Sequence, residues 1–174
     1  MRDNAFVSRA RKQAFIQAPP QRIWELLSDV ERHAEWWPRV VDVECEGLEE
    51  GCTYREVVET PFGNTEMTPQ VDELEDCKAL SIHCLNTGAF VRFGLTEAQQ
   101  GTFVEGEMGM EPQGLRNRVF DAVAGRRYFS SWIAQTFAAL EDAARAEPAS
   151  GTVGDPGFEP GTSSLSEMRS NQLS

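Results

Sequence analysis

Apolar and polar positions alternate along much of the chain up to about residue 111 and then change to a helical period. The run from 101 to 111 gives the clearest facing. Thr102, Val104, Gly106, Met108 and Met110 point one way, and Phe103, Glu105, Glu107, Gly109 and Glu111 the other. Three glutamates on one side of a period-two pattern place that side in water and the opposite side on a core. Val91, Phe93 and Leu95 share a face in the same manner, as do Leu80, Ile82 and Cys84, while Val41 and Val43 oppose Asp42 and Glu44. The pattern predicts strands over 6–17, 40–45, 52–60, 65–75, 79–86, 88–97 and 101–111. Short turns at 47–51, 61–64, 75–76, 86–88 and 99–101 join them, which implies an antiparallel meander. Pro69 interrupts its strand, so that strand lies at an edge or carries a bulge.

Helical signals bracket these strands. Pro19-Pro20 suits a helix start, where a missing N–H needs no partner. Ile23, Leu26 and Leu27 then fall on one face of a helix over 20–28, and a second short helical piece follows over 30–37. From 114 to 146, Leu115, Val119, Val123, Phe129, Ile133, Phe137 and Leu140 repeat at spacings of three, four or six, with Phe120 and Trp132 widening the stripe. One helix of this length spans roughly 48 Å at 1.5 Å per residue. Gly125 marks a bend or a less stable point within it. A sheet with one wet face and a long helix with one apolar stripe must pack together, the short helices closing one end: an α+β architecture.

Three pieces of sequence carry a resemblance: the stretch from Ala18 through Ile23-Trp24 to Trp36-Trp37-Pro38, then Gly101-Thr102, and then Met108-Gly109-Met110-Glu111-Pro112 leading into the long terminal helix. Over roughly residues 6 to 146 the chain resembles the polyketide cyclase/dehydrase-like branch of the START-like (SRPBCC) superfamily. That resemblance implies the helix-grip fold, a curved antiparallel sheet wrapped around a long C-terminal helix. It also implies a hydrophobic cavity between the two. The candidate ligand-binding residues are then Trp36, Tyr54, Met67, Val71, Ile82, Phe93, Met108, Phe129, Trp132 and Ile133, with Met110 and Phe137 adding to the walls. Methionines supply adaptable, polarizable surface. Aromatase/cyclases of this superfamily resemble an arrangement of a pocket acid and phenol, typically with an arginine and a tryptophan-containing strand after it. Here Thr65-Glu66-Met67-Thr68-Pro69 stands in that place without a tryptophan.

Charge and chemistry narrow the readings. A formal charge of −12 argues against a nucleic-acid backbone or an anionic membrane surface as partner. No run of about twenty apolar residues exists to span a bilayer, and the N-terminus lacks a signal-peptide core, so the expected location is cytoplasmic. Cys45, Cys52, Cys77 and Cys84 form no C-x-x-C pair, only His33 and His83 could join them as nitrogen ligands, and reduced, packed thiols are expected rather than a metal site. His83 has the outward parity of its strand and reads as a surface histidine; His33, beside Trp36-Trp37, reads as a structural cap. Trp24, Trp36 and Trp37 read as anchors for the short helices. The chain has no nucleophile elbow, phosphate-binding loop or dinucleotide fingerprint, so no cofactor is expected. Both parities are open for Tyr54-Arg55-Glu56. If Tyr54, Glu56 and Val58 face inward, an acid and a phenol sit in an apolar pocket, where burial raises the acid's pKa.

The favoured reading is a cytoplasmic, cofactor-free binding protein for a small hydrophobic or amphipathic molecule. The rivals are a cofactor-free cyclase/dehydratase-type enzyme and a protein-interaction module. Two or more ionisable side chains converging in the cavity favour the enzyme. A lining of carbon and sulfur favours the binder, and a filled core with an exposed apolar patch favours the interaction module.

Residues 1–148 are expected to form the domain and 149–174 a disordered tail. The tail is rich in Gly, Ser, Pro and Thr and lacks an apolar period. Gly157-Phe158-Glu159-Pro160 can be encoded by GGA-TTC-GAA-CCN, whose reverse complement contains GGTTCGAATCC, similar to the T-arm of a transfer RNA gene. The tail therefore reads as a frame running into an antisense tRNA gene. Ordering it would cost about 1–2 kcal/mol per residue in backbone entropy, far beyond the return from its few apolar side chains at about 1.5–3 kcal/mol each. Deleting residues 150–174 should leave the melting temperature unchanged; a clear drop in a thermal melt would show that the tail docks onto the domain.

Overall fold

The first helix forms where the prolines permit it. In the computed structural model, which describes residues 8–111 and 114–146, Pro20 occupies the first turn of α1 (Pro20–Ser28), and Ile23, Trp24, Leu26 and Leu27 are buried on one side. A 3-10 turn over Val30–Arg32 and the single-turn α2 (His33–Trp36) complete the short helical unit. Ahead of it runs β1 (Ser8–Ile16), and after it β2 (Val40–Glu44), β3 (Arg55–Thr60), β4 (Gly63–Met67), β5 (Pro69–Glu75), β6 (Ala79–Cys84), β7 (Ala89–Ala98) and β8 (Gly101–Met110).

The strands pair antiparallel in the orders β1-β8-β7-β6-β5 and β2-β3-β4. Residues 51–54 stitch the two sets together along β5: Gly51 N–H donates to Val71 O at 2.8 Å, Val71 N–H to Cys52 O at 3.0 Å and Tyr54 N–H to Pro69 O at 3.1 Å. The result is one curved, eight-stranded antiparallel surface gripping a C-terminal helix, the helix-grip α+β fold. The segment expected as a single strand over 65–75 instead breaks at Thr68-Pro69. Residues before the break pair with β3, and those after it pair with β6. Proline lacks the N–H a ladder needs, so it opens the edge strand β5. A bulge between Val40 and Asp42 turns Val41 outward, against the expected facing.

On β8 the alternation holds. Val104 and Met108 are buried and Gly106 touches the helix, while Glu105 is exposed. Glu107 lies on the outer face but is largely covered, because Arg9, Arg11 and Arg92 all reach it, at 3.7, 3.3 and 3.9 Å.

The C-terminal helix is not one regular helix. α3 (Gly114–Phe120) passes through a π-helical turn at Asp121–Gly125 into α4 (Arg126–Arg145). Phe129, Ile133, Phe137 and Leu140 of the expected stripe are buried, but Leu115, Val119 and Val123 are 79, 56 and 83% exposed. In an uninterrupted α-helix all seven share a face. A π turn adds a residue to the turn, which rotates what precedes it by about 100°. Phe120 therefore turns toward the interior in place of Val119. The expected domain boundary at 148, and the tail, lie outside the described residues.

Helix and sheet meet closely at Gly106. A Cβ there would lie 2.5 Å from the Phe137 ring, itself 2% exposed. Gly106→Ala should cost roughly 1–3 kcal/mol in a denaturant titration. Gly94→Ala, where a Cβ meets nothing within 4 Å, should stay within about 0.5 kcal/mol. Equal effects at the two positions would contradict the packing described.

Candidate functional site

Away from Gly106 the sheet and helix diverge and leave a two-chambered cavity. The inner chamber, about 50 Å³, is bounded by Tyr54 and Glu56, by Met67 of β4, Ile82 and Cys84 of β6, Met108 of β8, Phe129 and Trp132 of α4, and His33 and Trp37 of the short helical unit. An outer chamber of about 330 Å³ continues from it past Met67, Ala89, Phe129 and Trp132, which border both. Its far wall is partly polar, with Thr60, Thr65, Asn86 and Thr87, and its rim is Phe62, Phe120 and Tyr128. Most of the lining is apolar, as in small-molecule sites.

Strand β3 settles the parity left open by the sequence. Tyr54 and Val58 are buried and Glu56 borders the inner chamber. Arg55 points outward, where Asp42 and Glu66 accept its hydrogen bonds at 2.8 and 2.9 Å. Glu56 is in the central strand of its set, with Val43 and Met67 directly opposite on the flanking strands. Those neighbours, with the apolar walls across the chamber, strip its carboxyl of water. Desolvation raises its pKa from 4.5 to about 7. The Tyr54 phenol is pushed well above its ordinary value, by burial first and then by Glu56, and stays protonated.

His33 is fixed by a backbone carbonyl. Its Nε2–H donates to Leu27 O at 3.0 Å, which caps the end of α1 and assigns the tautomer. Burial, partly offset by that bond, lowers its pKa from 6.5 to about 4, so the ring is neutral. It packs against Trp37, ring centroids 4.6 Å apart, and Trp37 packs in turn on Phe93 at 5.6 Å. The Trp37 indole N–H is buried without an acceptor among the described residues. Trp132 Nε1–H donates to Pro38 O at 2.8 Å, tying α4 to the turn after α2. Among the described residues, no three or more His, Cys, Asp or Glu side chains group to hold a metal.

A family model described as polyketide cyclase / dehydrase and lipid transport matches residues 8–145. The chain belongs to this family. Solved structures of the same shape include the Zhui aromatase/cyclase from Streptomyces sp. R1128, with 19% identity, TM-score 0.64 and coverage of 83% of this chain and 98% of that one. Protein TTHA0849 from Thermus thermophilus matches at 16%, TM-score 0.63, covering 78% and 96%. Protein NE0264 from Nitrosomonas europaea matches at 16%, TM-score 0.60, covering 80% and 95%. No curated protein matches the chain.

In this polyketide cyclase/dehydrase family member, six of the ten residues singled out from the sequence border the cavity: Tyr54, Met67, Ile82, Met108, Phe129 and Trp132. The other four lie elsewhere. Val71, Phe93 and Ile133 are packed core, and Trp36 is half-buried beside Trp37. The cavity also takes in Cys84, which shares the strand face of Ile82, and His33, Trp37 and the polar outer wall, which the strand pattern did not single out. His83 is half-buried and bonded through Nδ1 to Asp72 at 2.6 Å, rather than simply solvated.

Glu56 and His33 should leave opposite marks on stability. Between about pH 4.5 and 7 the folded protein keeps a proton on Glu56 that the unfolded chain releases, so stability from this group falls as pH rises, by about 3 kcal/mol. Between about 6.5 and 4 the unfolded chain protonates His33 while the folded one does not, so stability falls by a similar about 3 kcal/mol as pH falls. The two nearly cancel in the wild type. Relative to wild type, Glu56→Gln should gain about 3 kcal/mol between pH 4.5 and 7.5 and His33→Asn should lose about as much. Urea titrations at several pH values check this, and pH-independent differences would contradict it.

Proposed function

We propose that this chain binds a small, largely apolar molecule in the cavity and that Glu56 exchanges a proton with it, as a cofactor-free enzyme of the cyclase/dehydratase type. One observation carries the reading: the Glu56 carboxyl borders an apolar chamber, where burial raises its pKa to about 7. Such a group is about half ionised at neutral pH, so it can accept a proton from an activated C–H or O–H and return it elsewhere on the same ligand. The neutral Tyr54 phenol beside it is a donor for a ligand oxygen. Membership in a family described by cyclase, dehydrase and lipid transport is consistent with this, and so is a fold shared with an aromatase/cyclase.

The outer chamber favours a second use of the same cavity. Thr60, Thr65, Asn86 and Thr87 give the outer chamber a partly polar wall while the inner chamber is apolar, which suits an amphipathic molecule bound apolar end first. On that reading the protein is a carrier for a hydrophobic ligand and works in the cytoplasm.

A generic probe separates the two. 5-Nitrobenzisoxazole loses its C3 proton to a base as its N–O bond breaks, giving a coloured phenolate. The protein should accelerate this by about a hundredfold or more over acetate at equal concentration, with the rate rising through a midpoint near pH 7. Glu56→Gln should return the rate to background while still binding Nile red. Dye binding without any Glu56-dependent rate would leave the carrier reading standing and remove the enzymatic one.

A further inference from the structure

The rotation introduced by the π turn has a second effect. It leaves Leu115, Val119 and Val123 on the surface, and Phe62 of the β3–β4 turn is 65% exposed beside them. Phe62 lines both this apolar surface and the outer chamber, as does Phe120, so the patch is continuous with the mouth of the cavity. Adjacent large apolar residues left in water on an otherwise acidic protein call for a partner.

The charges near the patch indicate which one. Arg118, Arg126 and Arg127 fall in this stretch, in a chain of net charge −12. Elsewhere Arg9, Arg11, Arg22, Arg32, Arg55, Arg92 and Arg145 each pair with a carboxylate. Arg118, Arg126 and Arg127 are exposed and form no ion pair among the described residues, despite the excess of acid in the sequence. Exposed aliphatic and aromatic side chains flanked by unpaired arginines are the composition of a helix that lies in a membrane interface. The geometry points to α3 and the π turn, with Phe62, as a docking surface for a bilayer containing anionic lipid, set so that the cavity mouth opens against the acyl chains. The chain-wide negative charge argues against anionic membranes on average, but the field near the surface decays within about 8 Å at physiological salt, so the local cations govern contact. No helix among the described residues is long and apolar enough to span a membrane, which suits reversible surface docking.

Flotation of the full chain with vesicles tests this. Binding is expected to phosphatidylcholine vesicles containing about a third phosphatidylglycerol, to weaken with added salt and to be much weaker with phosphatidylcholine alone. Arg126→Gln combined with Arg127→Gln should reduce it roughly 30-fold, corresponding to about 1 kcal/mol for each arginine. Leu115→Ser with Val123→Ser should reduce it by at least as much while the melting temperature holds, since both side chains are already in water. Failure to float with either vesicle would overturn the proposal, as would floating that neither variant changes. Sedimentation showing that the wild type self-associates through this face, and that the serine variant does not, would also overturn it, because the patch would then be covered by a second copy. Nile red binding by the variants should remain, so loss of docking is distinguishable from loss of the cavity.

Discussion

The contact between the C-terminal helix and the concave sheet governs the rest of the molecule. Phe129, Ile133, Phe137 and Leu140 press one apolar stripe of α4 onto the inward faces of the strands, and all four are almost fully buried. The fit is close where Gly106 lets the Phe137 ring approach the backbone of β8. Arg22 of α1 fastens that end by donating to the carbonyls of Ala143 and Ala146 at 3.2 and 3.1 Å. Toward the other end the helix is held off the sheet by large rings. Tyr128, Phe129 and Trp132 pack on one another at 5.4 to 6.4 Å. Because interiors are packed close to crystal density, a gap bounded by such rings is a feature the fold must sustain, and one end of the grip is filled so that the other can stay open.

Into that opening the alternation of β3 delivers one carboxyl group. Arg55 and Glu56 are neighbours with opposite fates. Arg55 is solvated and surrounded by Asp42, Glu44 and Glu66, while Glu56 looks into methionine and aromatic rings. A slip of one residue would exchange them, placing a guanidinium in the cavity. The acidic groups around Arg55 fit the register, set by buried Tyr54 and Val58, that keeps Glu56 inward. Burying a carboxyl here works against stability near neutral pH, and such a sacrifice is characteristic of functional sites.

Much of the fold was legible because it rests on periodicity. The β8 alternation identified Val104 and Met108 as inward, and Pro19-Pro20 located α1. The misreadings have local physical causes. Thr68-Pro69 reads as a flaw in one strand, but the missing N–H ends one ladder and begins another. Leu115, Val119 and Val123 match the stripe of α4 in phase, and only the inserted π turn, which leaves no period of its own, moves them to the surface. The site was less legible than the fold. Val71, Phe93 and Ile133 carry the same inward signal as Ile82 and Met108, and alternation cannot separate residues that fill a core from residues that border a gap. His33 and Trp37 enter the cavity through the packing of short helices, which no strand pattern encodes. Tyr54 and Glu56 came into view as one of two parities, and the bonds between residues 51–54 and β5 decided between them.

The central claim is that the cavity holds a carboxyl whose proton leaves near neutrality. Carboxyl carbon-13 NMR of protein labelled at glutamate, with Glu56→Gln to assign the resonance, reads that proton directly. The account predicts one glutamate titrating with a midpoint of about 7, absent from the variant. A Glu56 resonance titrating near the ordinary 4.5 would mean that the carboxyl is hydrated, and would contradict both the apolar enclosure described here and the chemistry built on it.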